Sequence, residues 1–578
     1  MARIVGTGIQ EFSELIEKKL FYVDKTDFIK EWWQSGDKVT LIARPRRFGK
    51  TLTMSMVEQF FSIKYAGRGG LFEGLEIWQD EELRKLQGSY PVIYLSFAAV
   101  KGKNYQETYS AICRLIAREY QKWSFITDGE YFGELEKDFF MQMAKMQDKN
   151  ISFSLNQLSE FLFKYYGKKV IILLDEYDTP MQEAYINGYW NELVQFIRGL
   201  FNAAFKTNPY LERGILTGIT RVSKESIFSD LNNLKVITTT SDKYKTSFGF
   251  TEKEVFEALE EFGLQDQKDE VKKWYDGFLF GDCDNIYNPW SITQFLDEKR
   301  LAPYWMNTSS NQLVSNLIQK GSPRMKMVLE DLLQGKSFHT TMDEQIGFDQ
   351  LGRSANAVWS LLVASGYLKV DAWTFNGKRM EYSLKIVNLE VQLMFEQLFI
   401  DWFSDDGHFY NEFSDALIQG DKEFMNEYLN DMMFHSLSYY DTGTKYARSK
   451  THENFYHGFV LGLVADLKDR YVITSNRESG QGRYDVMLEP REGHQNAMIL
   501  EFKVHDPARE ETMQDTVDAA LQQIIEKGYV AALETRGVAE NRIRIYGFAF
   551  EGKQVLIGGG NLQEALSAAS ANMVKETP

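Results

Sequence analysis

Cysteine is nearly absent: Cys113 and Cys283 are the only two in 578 residues. They lie far apart and in no metal-ligand or redox spacing, which argues against a disulfide scaffold and suits a reducing compartment. Proline is also scarce, at 10 residues, and with 44% hydrophobic and 14% aromatic content extensive disorder is excluded. Positive charge is in deficit. The 65 Lys and Arg against 82 Asp and Glu leave a net charge of -17, so no global field draws the chain to nucleic acid or to an anionic membrane, and any such binding needs a local patch. Long apolar runs are missing too: none approaches the ~18 residues of a membrane span. The opening MARIVGTGIQEFSELIEKK lacks the apolar core of a signal peptide, so a cytoplasmic protein with no membrane partner is expected. The histidines, among them His435, His452, His457, His494 and His505, show no HExxH or HxxxH spacing. Zinc is therefore not expected.

What is present suggests roughly three to four domains. Through the first third, the apolar runs KVTLIA, PVIYLSF, KKVIILLDEYD and LERGILTGIT alternate with helical patterns, as parallel strands buried on both faces do. An α/β domain over residues 1–235 is expected. Residues 236–345 read as a helical extension of it. Residues 346–450 read as a helical module, winged-helix-like or otherwise, interrupted by a hairpin around the NGK turn of YLKVDAWTFNGKRMEYSLKI. A final α+β domain is expected over 451–560: a helix ENFYHGFVLGLVADL, strands YVITSNRE, GRYDVMLEP and AMILEFKVH, a helix MQDTVDAALQQIIEKG and a closing strand IRIYGFAFEGKQVLIG. Residues 561–578 read as a frayed tail.

The stretch LIARPRRFGKT runs from a strand into a helix and ends in Gly49, Lys50 and Thr51, although Arg44 stands where a phosphate-binding loop usually has its first glycine. Backbone amides and a helix N-terminus there suit a phosphate. Lys50 would reach the β- and γ-phosphates, and the Thr51 hydroxyl would hold Mg²⁺. A second strand, VIILLDEYD, delivers Asp175 as a ligand of that ion and Glu176 to orient or activate the attacking water. At the end of ILTGITRVS, Arg221 could sense the γ-phosphate or could equally be a surface ion pair.

In GRYDVMLEPREGHQNAMILEFKVH, Glu501 and Lys503 are two apart and share one strand face. If the two strands pair, Asp485 joins that face. Two carboxylates then bind Mg²⁺ or Mn²⁺ while the lysine polarises a phosphate or helps position the attacking water, a phosphodiester-cleaving pattern. Glu453 could add a third carboxylate, and Gln523 could orient ligands or substrate. A local groove for a polyanion would draw on Arg477, Arg483 and Lys503.

The segments YVDKT, RPRRFGKT, LLDEYDTP, LTGITRVSKESIFSDLNNL, WYDGFLFG and YNPWSI resemble those of the bacterial AAA-ATPase-like family. The resemblance implies a P-loop NTPase fold, ATP as the nucleotide, a loop in which Arg44, Arg46, Arg47, Phe48, Gly49, Lys50, Thr51 and Leu52 meet it, and Asp24 and Lys25 nearby. The last domain, through ENFYHGFVLGLV, GRYDVML, ILEFK and ALQQI, resembles the PD-(D/E)XK nuclease superfamily. That implies a restriction-endonuclease-like fold with Asp485, Glu501 and Lys503 at its centre and Glu453 and Gln523 as accessories. Tyr484 replaces the usual proline before the first acid.

Together these give an expected ATP-binding, ATP-hydrolysing protein that controls a metal-dependent nuclease, with DNA favoured over RNA and a homo-oligomer left open. The alternative is a nucleotide-dependent switch or scaffold whose last domain binds nucleic acid or a protein without cutting.

Overall fold

The structure, a computed structural model, describes residues 2–146, 151–220, 228, 231–305, 312–319, 323–333, 335–342, 351, 354–404, 410–436, 460, 464, 467, 470–475, 478–479, 482–483, 485–492, 495–507, 510–551 and 554–563. The chain divides into two units. One comprises residues 1–317 and 337–393, the other 318–336 and 394–578.

In the first unit, β1 (Val39–Ala43), β2 (Val92–Ser96), β3 (Val170–Asp175), β4 (Leu211–Gly218) and β5 (Leu234–Ile237) form a five-stranded sheet in the order β2-β3-β4-β1-β5. Every pair is parallel. The reason is visible in β3, where every residue is buried: Ile171 and Leu173 pack with Ile42 and Ile215 on one face, Ile172 and Leu174 with Leu41 and Leu95 on the other. A continuous β-branched and aliphatic run is what a strand covered on both faces requires. β5 lies at the sheet edge and has only Ile237 buried, so no apolar run marks it in the sequence. Because the strands are parallel, their carboxyl ends share one edge of the sheet. From that edge emerge the segments 44–49, 176–178 and 219–220, the usual place for a ligand in such sheets.

The middle of the chain is mostly helical but carries two small sheets. One has the order β6-β8-β7, from β6 (Phe250–Thr251), β7 (Phe278–Phe280) and β8 (Cys283–Tyr287). The other has the order β10-β11-β9, from β9 (Phe338–Thr340), β10 (Leu368–Phe375) and β11 (Met380–Ile386). β10 and β11 are the hairpin read around NGK. The β6–β8 sheet escapes sequence reading because its strands are too short to show alternation.

In the second unit, β12 (Tyr471–Ser475) is followed by a two-stranded ribbon of β13 (Glu478–Ser479) and β14 (Gly482–Arg483). With β15 (Val486–Pro490), β16 (Ala497–Val504), β17 (Ile543–Glu551) and β18 (Gln554–Asn561), β12 makes a sheet in the order β12-β15-β16-β17-β18. Only β16 and β17 pair in parallel, and the helix Met513–Glu526 provides their crossover. The single closing strand expected from the sequence is in fact the β17–β18 hairpin, reversed between Glu551 and Gln554. The free edge of β18 is covered by Asn426 and Asn430 of the helix Lys422–Ser436, whose side-chain amides bond the backbone of Ile557 and Val555 at 2.7–3.0 Å. The helix expected from ENFYHGF and the tail beyond Leu562 fall largely or wholly outside the described residues. Among the described residues, no helix is long and apolar enough to cross a membrane.

Candidate functional site

At the carboxyl edge of the first sheet, the chain leaves β1, turns through residues 44–49 and enters the helix Lys50–Phe61. Two residues of the turn are left-handed, Arg47 at φ 66° and Gly49 at φ 79°. Glycine meets the second position without cost, whereas Arg47 is a non-glycine residue held in a sparsely populated region. The Lys50 ammonium folds back to donate to the carbonyls of Arg44 at 2.9 Å and Pro45 at 2.7 Å. Thr51 donates to Asp175 Oδ2 at 2.8 Å, and Thr217 of β4 donates to the other oxygen. Glu176 follows at φ 52°, another strained position, with its carboxylate accepting from Thr179 at 3.2 Å.

Of these, Arg47, Gly49, Lys50, Thr51, Glu176 and Thr179 border a cavity of about 500 Å³, and Asp175 reaches it only through Thr51. Arg46, Arg47, Phe48, Gly49, Lys50, Thr51 and Leu52 line it on one side and Glu176, Asp178 and Gln182 on another; the segments around Gly6–Gln10 and Phe21–Val23 and the start of the helix Pro289–Glu298 complete the wall. Arg46 is held by Gln182 at 3.0 Å, and the Arg47 guanidinium lies 4.4 Å over the Trp290 ring. Phe48 anchors the turn against Phe278 and Phe280.

Two residues expected at the nucleotide lie elsewhere. The Arg44 side chain is fully buried away from the cavity, donating to the carbonyls of Thr238 and Tyr244 with its guanidinium 4.4 Å over Phe280. What Arg44 brings to the loop is its carbonyl. The Asp24 carboxylate is consumed in capping, accepting from Thr26 at 2.7 and 2.8 Å and from the Glu76 amide at 2.8 Å. Lys25 does line the cavity, with its ammonium paired to Glu254 at 2.7 Å and to the Thr246 carbonyl at 2.8 Å. Arg221 lies outside the described residues.

Sequence reasoning misses Asp178. Its buried carboxylate accepts from the amides of Ile219 and Thr220 and from the Thr220 hydroxyl, each at 3.0 Å, tying the end of β3 to the end of β4. A Cβ on Gly218 would stand 2.8 Å from Asp178 Oδ1, so glycine is what admits this approach. The only signal available is the density of acids in DEYD.

In the second unit, β15 and β16 pair antiparallel with Val486 opposite Leu500, which carries Asp485, just before β15, to a place opposite Glu501. The Phe502 amide donates to Asp485 at 2.8 Å. Gln523, on the helix Met513–Glu526, accepts from the Lys503 ammonium at 2.8 Å and donates its amide to Glu501 Oε1. All four residues therefore meet. Glu501 occupies a face whose preceding positions, Ala497 and Ile499, are packed apolar core, so a carboxylate there is not an edge residue. It is 2% exposed. Glu453 and Arg477 lie outside the described residues.

The family model described as "Predicted AAA-ATPase" matches residues 6–228, and that of the PD-(D/E)XK nuclease superfamily matches residues 451–559. The chain carries an AAA-ATPase-like domain and a PD-(D/E)XK nuclease superfamily domain. A protein of Azotobacter chroococcum mcd 1, described as "Uncharacterized protein in vnfD 5'region", is 27% identical over 553 residues, covering 92% of this chain and 93% of its own. The likeness thus extends through both domains and the region between them.

The electrostatics of the two domains differ. In the AAA-ATPase-like domain, burial lowers the Lys50 pKa against the pull of Glu176, Asp178 and Asp175, while burial and Asp175 raise that of Glu176. A hydroxyl and a carboxylate in direct contact, Thr51 and Asp175, are the hard oxygen donors that Mg²⁺ takes. In the nuclease-superfamily domain, burial and then the Asp485 carboxylate raise the Glu501 pKa, and burial raises that of Asp485 against the Phe502 amide and Lys503. The second oxygen of Glu501 is buried with no hydrogen-bond partner among the described residues. A buried, unpartnered carboxylate oxygen facing a second acid fits a divalent cation.

Proposed function

We propose that the AAA-ATPase-like domain binds and hydrolyses ATP and that its nucleotide state controls a metal-dependent nuclease centre acting on nucleic acid, DNA before RNA. The observation that carries this reading is the convergence of Asp485, Glu501, Lys503 and Gln523, in a chain whose other unit gathers Lys50, Thr51 and Glu176 around one cavity. The parallel sheet with its loop at the carboxyl edge supports a P-loop NTPase fold for the first domain. The mixed sheet with a helical crossover supports a restriction-endonuclease-like fold for the last.

In this reading, Lys50 leaves the carbonyls of Arg44 and Pro45 for the phosphates of ATP, and the apolar wall at Ile9, Phe21 and Val23 covers the base. Glu176, its basicity raised by burial, takes the proton of the attacking water. Thr51 and Asp175 would hold Mg²⁺ at the triphosphate, and Asp485 and Glu501 would hold Mg²⁺ or Mn²⁺ at the nuclease centre. A divalent cation bound at either place supplies charge stabilisation at phosphorus and an acidified water. Lys503 holds a phosphate oxygen of the scissile bond, and Gln523 fixes Lys503 and Glu501 relative to one another.

The test is cleavage of single- and double-stranded DNA and RNA with Mg²⁺ or Mn²⁺, with and without ATP. Cleavage is expected to be lost in Glu501→Ala and altered in Lys50→Ala. Cleavage undiminished in Glu501→Ala would defeat the reading. The alternative, a domain that binds without cutting, is favoured by the acidic balance of the chain, 82 Asp and Glu against 65 Lys and Arg, which leaves no global field for a polyanion. Metal binding without cleavage of any of the four substrates would establish that alternative.

A further inference from the structure

The β10–β11 hairpin belongs to neither site. Residues 371–379 are all exposed, and Trp373 and Phe375 stand 62% and 63% exposed. Exposed apolar residues that form a contiguous patch, unlike single ones, mark contact surfaces. As alternate residues of one strand they share a face. Their cross-strand neighbours, Tyr382 opposite Trp373 and Met380 opposite Phe375, lie on it too. The tip is set rigidly by Asn376: its amide donates to the Arg379 carbonyl at 3.1 Å, its side-chain oxygen accepts from the amides of Lys378 and Arg379 at 3.1 and 2.9 Å, and its side-chain nitrogen donates to Glu381 at 2.6 Å. Gly377 supplies the left-handed turn at φ 83°. Lys378 and Arg379 thus project from a fixed tip and form no ion pair among the described residues. Lower on the hairpin, Lys385 is paired with Asp371 at 3.0 Å.

We propose that this hairpin docks a single-stranded nucleic acid segment, with successive bases stacked on Trp373 and Phe375 and the adjoining phosphates on Lys378 and Arg379. The proposal rests on the reading that the chain acts on nucleic acid. Same-face residues of a strand are about 6.6 Å apart, a spacing suited to bases splayed out onto aromatic platforms, and such stacking tolerates any base. A basic tip is what an otherwise acidic chain needs to meet a polyanion locally. Protein interfaces also use Trp and Arg, so the oligonucleotide and salt dependence measured below are what separate a polyanion from a protein partner.

The experiment is fluorescence anisotropy of labelled dT12 and rU12 with the full chain in EDTA, where no cleavage occurs. Wild type is expected to bind. Trp373→Leu and Phe375→Leu, which remove the ring and keep an apolar side chain, should each weaken binding about 10-fold. Lys378→Ala with Arg379→Ala should weaken it and reduce the slope of log affinity against log salt by about 1.4. Thr374→Ala, on the other face, should change nothing. Binding unchanged in both leucine variants, or no binding of either oligonucleotide, overturns the proposal; so does a protein ligand that competes with neither oligonucleotide yet needs the hairpin. The two readings fail separately. Metal-dependent cleavage with no role for the hairpin would leave the nuclease standing, whereas hairpin-dependent binding without cleavage would leave the docking site standing.

Discussion

Thr51 donates its hydroxyl to Asp175 at 2.8 Å, joining residues 124 positions apart in sequence. One lies in the first turn of the helix after the loop and the other ends strand β3. The contact exists because β1 and β3 run parallel with β4 between them, so their carboxyl ends open on the same edge. Asp175 has no exposure to solvent and spends both oxygens on hydroxyl donors, so its position is fixed before any ligand arrives. Preorganisation of this kind lets a site meet developing charge without rearranging.

Lys50→Ala should therefore weaken ATP binding rather than unfold the loop. The ammonium now serves only the carbonyls of Arg44 and Pro45, which the amide dipoles of the turn and water can satisfy in its absence. A fluorescent ATP analogue should bind about 100-fold more weakly, a loss of about 3 kcal/mol, with the melting temperature of the ligand-free protein changed by only a few degrees. Tight binding by the variant would show that the phosphates lie elsewhere.

Glu176→Gln separates chemistry from binding. Glu176 is held at φ 52° beside Asp175, with its pKa raised by burial, the setting of a general base. Removing such a group typically costs 10² to 10⁴ in rate. The variant should bind ATP as wild type does while its turnover falls by about that factor; turnover within a few-fold of wild type would assign the role to another residue.

How much of this is legible in the sequence depends on periodicity and on who the partners are. VIILLD announces a buried strand and its acidic end, and the two-residue spacing of Glu501 and Lys503 places both on one face, because these rest on local patterns. The register that sets Asp485 opposite Glu501 comes from β15 and β16 pairing, which the sequence could offer only as a condition. Arg44 and Asp24 show the limit. Each is polar and sits in a motif beside the cavity, yet one is buried under Phe280 and the other caps Thr26 and Glu76. Which way a polar side chain turns depends on carbonyls and amides contributed from residues 238, 244 and 76, and no spacing encodes those.

Metal binding at the nuclease-superfamily domain can be read without cleavage. Glu501 has one buried oxygen with no partner among the described residues, facing Asp485, so a divalent cation should stabilise the folded chain. At 100 times its dissociation constant the gain is about 2.7 kcal/mol. In thermal denaturation, Mn²⁺ should raise the melting temperature of this domain's transition in wild type and have little effect in Glu501→Gln. An equal rise in both proteins would place the ion elsewhere.

Glu390 supplies a pH dependence with a definite sign. It is 1% exposed and accepts from the Ser291 hydroxyl at 2.9 Å and from the Trp305 amide at 2.6 Å. Burial, only partly offset by those two bonds, pushes its pKa from 4.5 to about 7. Between those values the folded chain keeps a proton on Glu390 that the unfolded chain releases, so the contribution of this group to stability is fully present below pH 4.5 and is lost as the pH rises to 7. A difference of this size corresponds to about 3 kcal/mol. Glu390→Gln keeps a hydrogen-bonding side chain of the same shape and removes the titration. Urea unfolding from pH 5 to pH 8 should therefore lose this part of its slope in the variant, which should be the more stable protein at pH 8. Parallel pH profiles for the two proteins would mean that Glu390 is ionised in the folded state throughout.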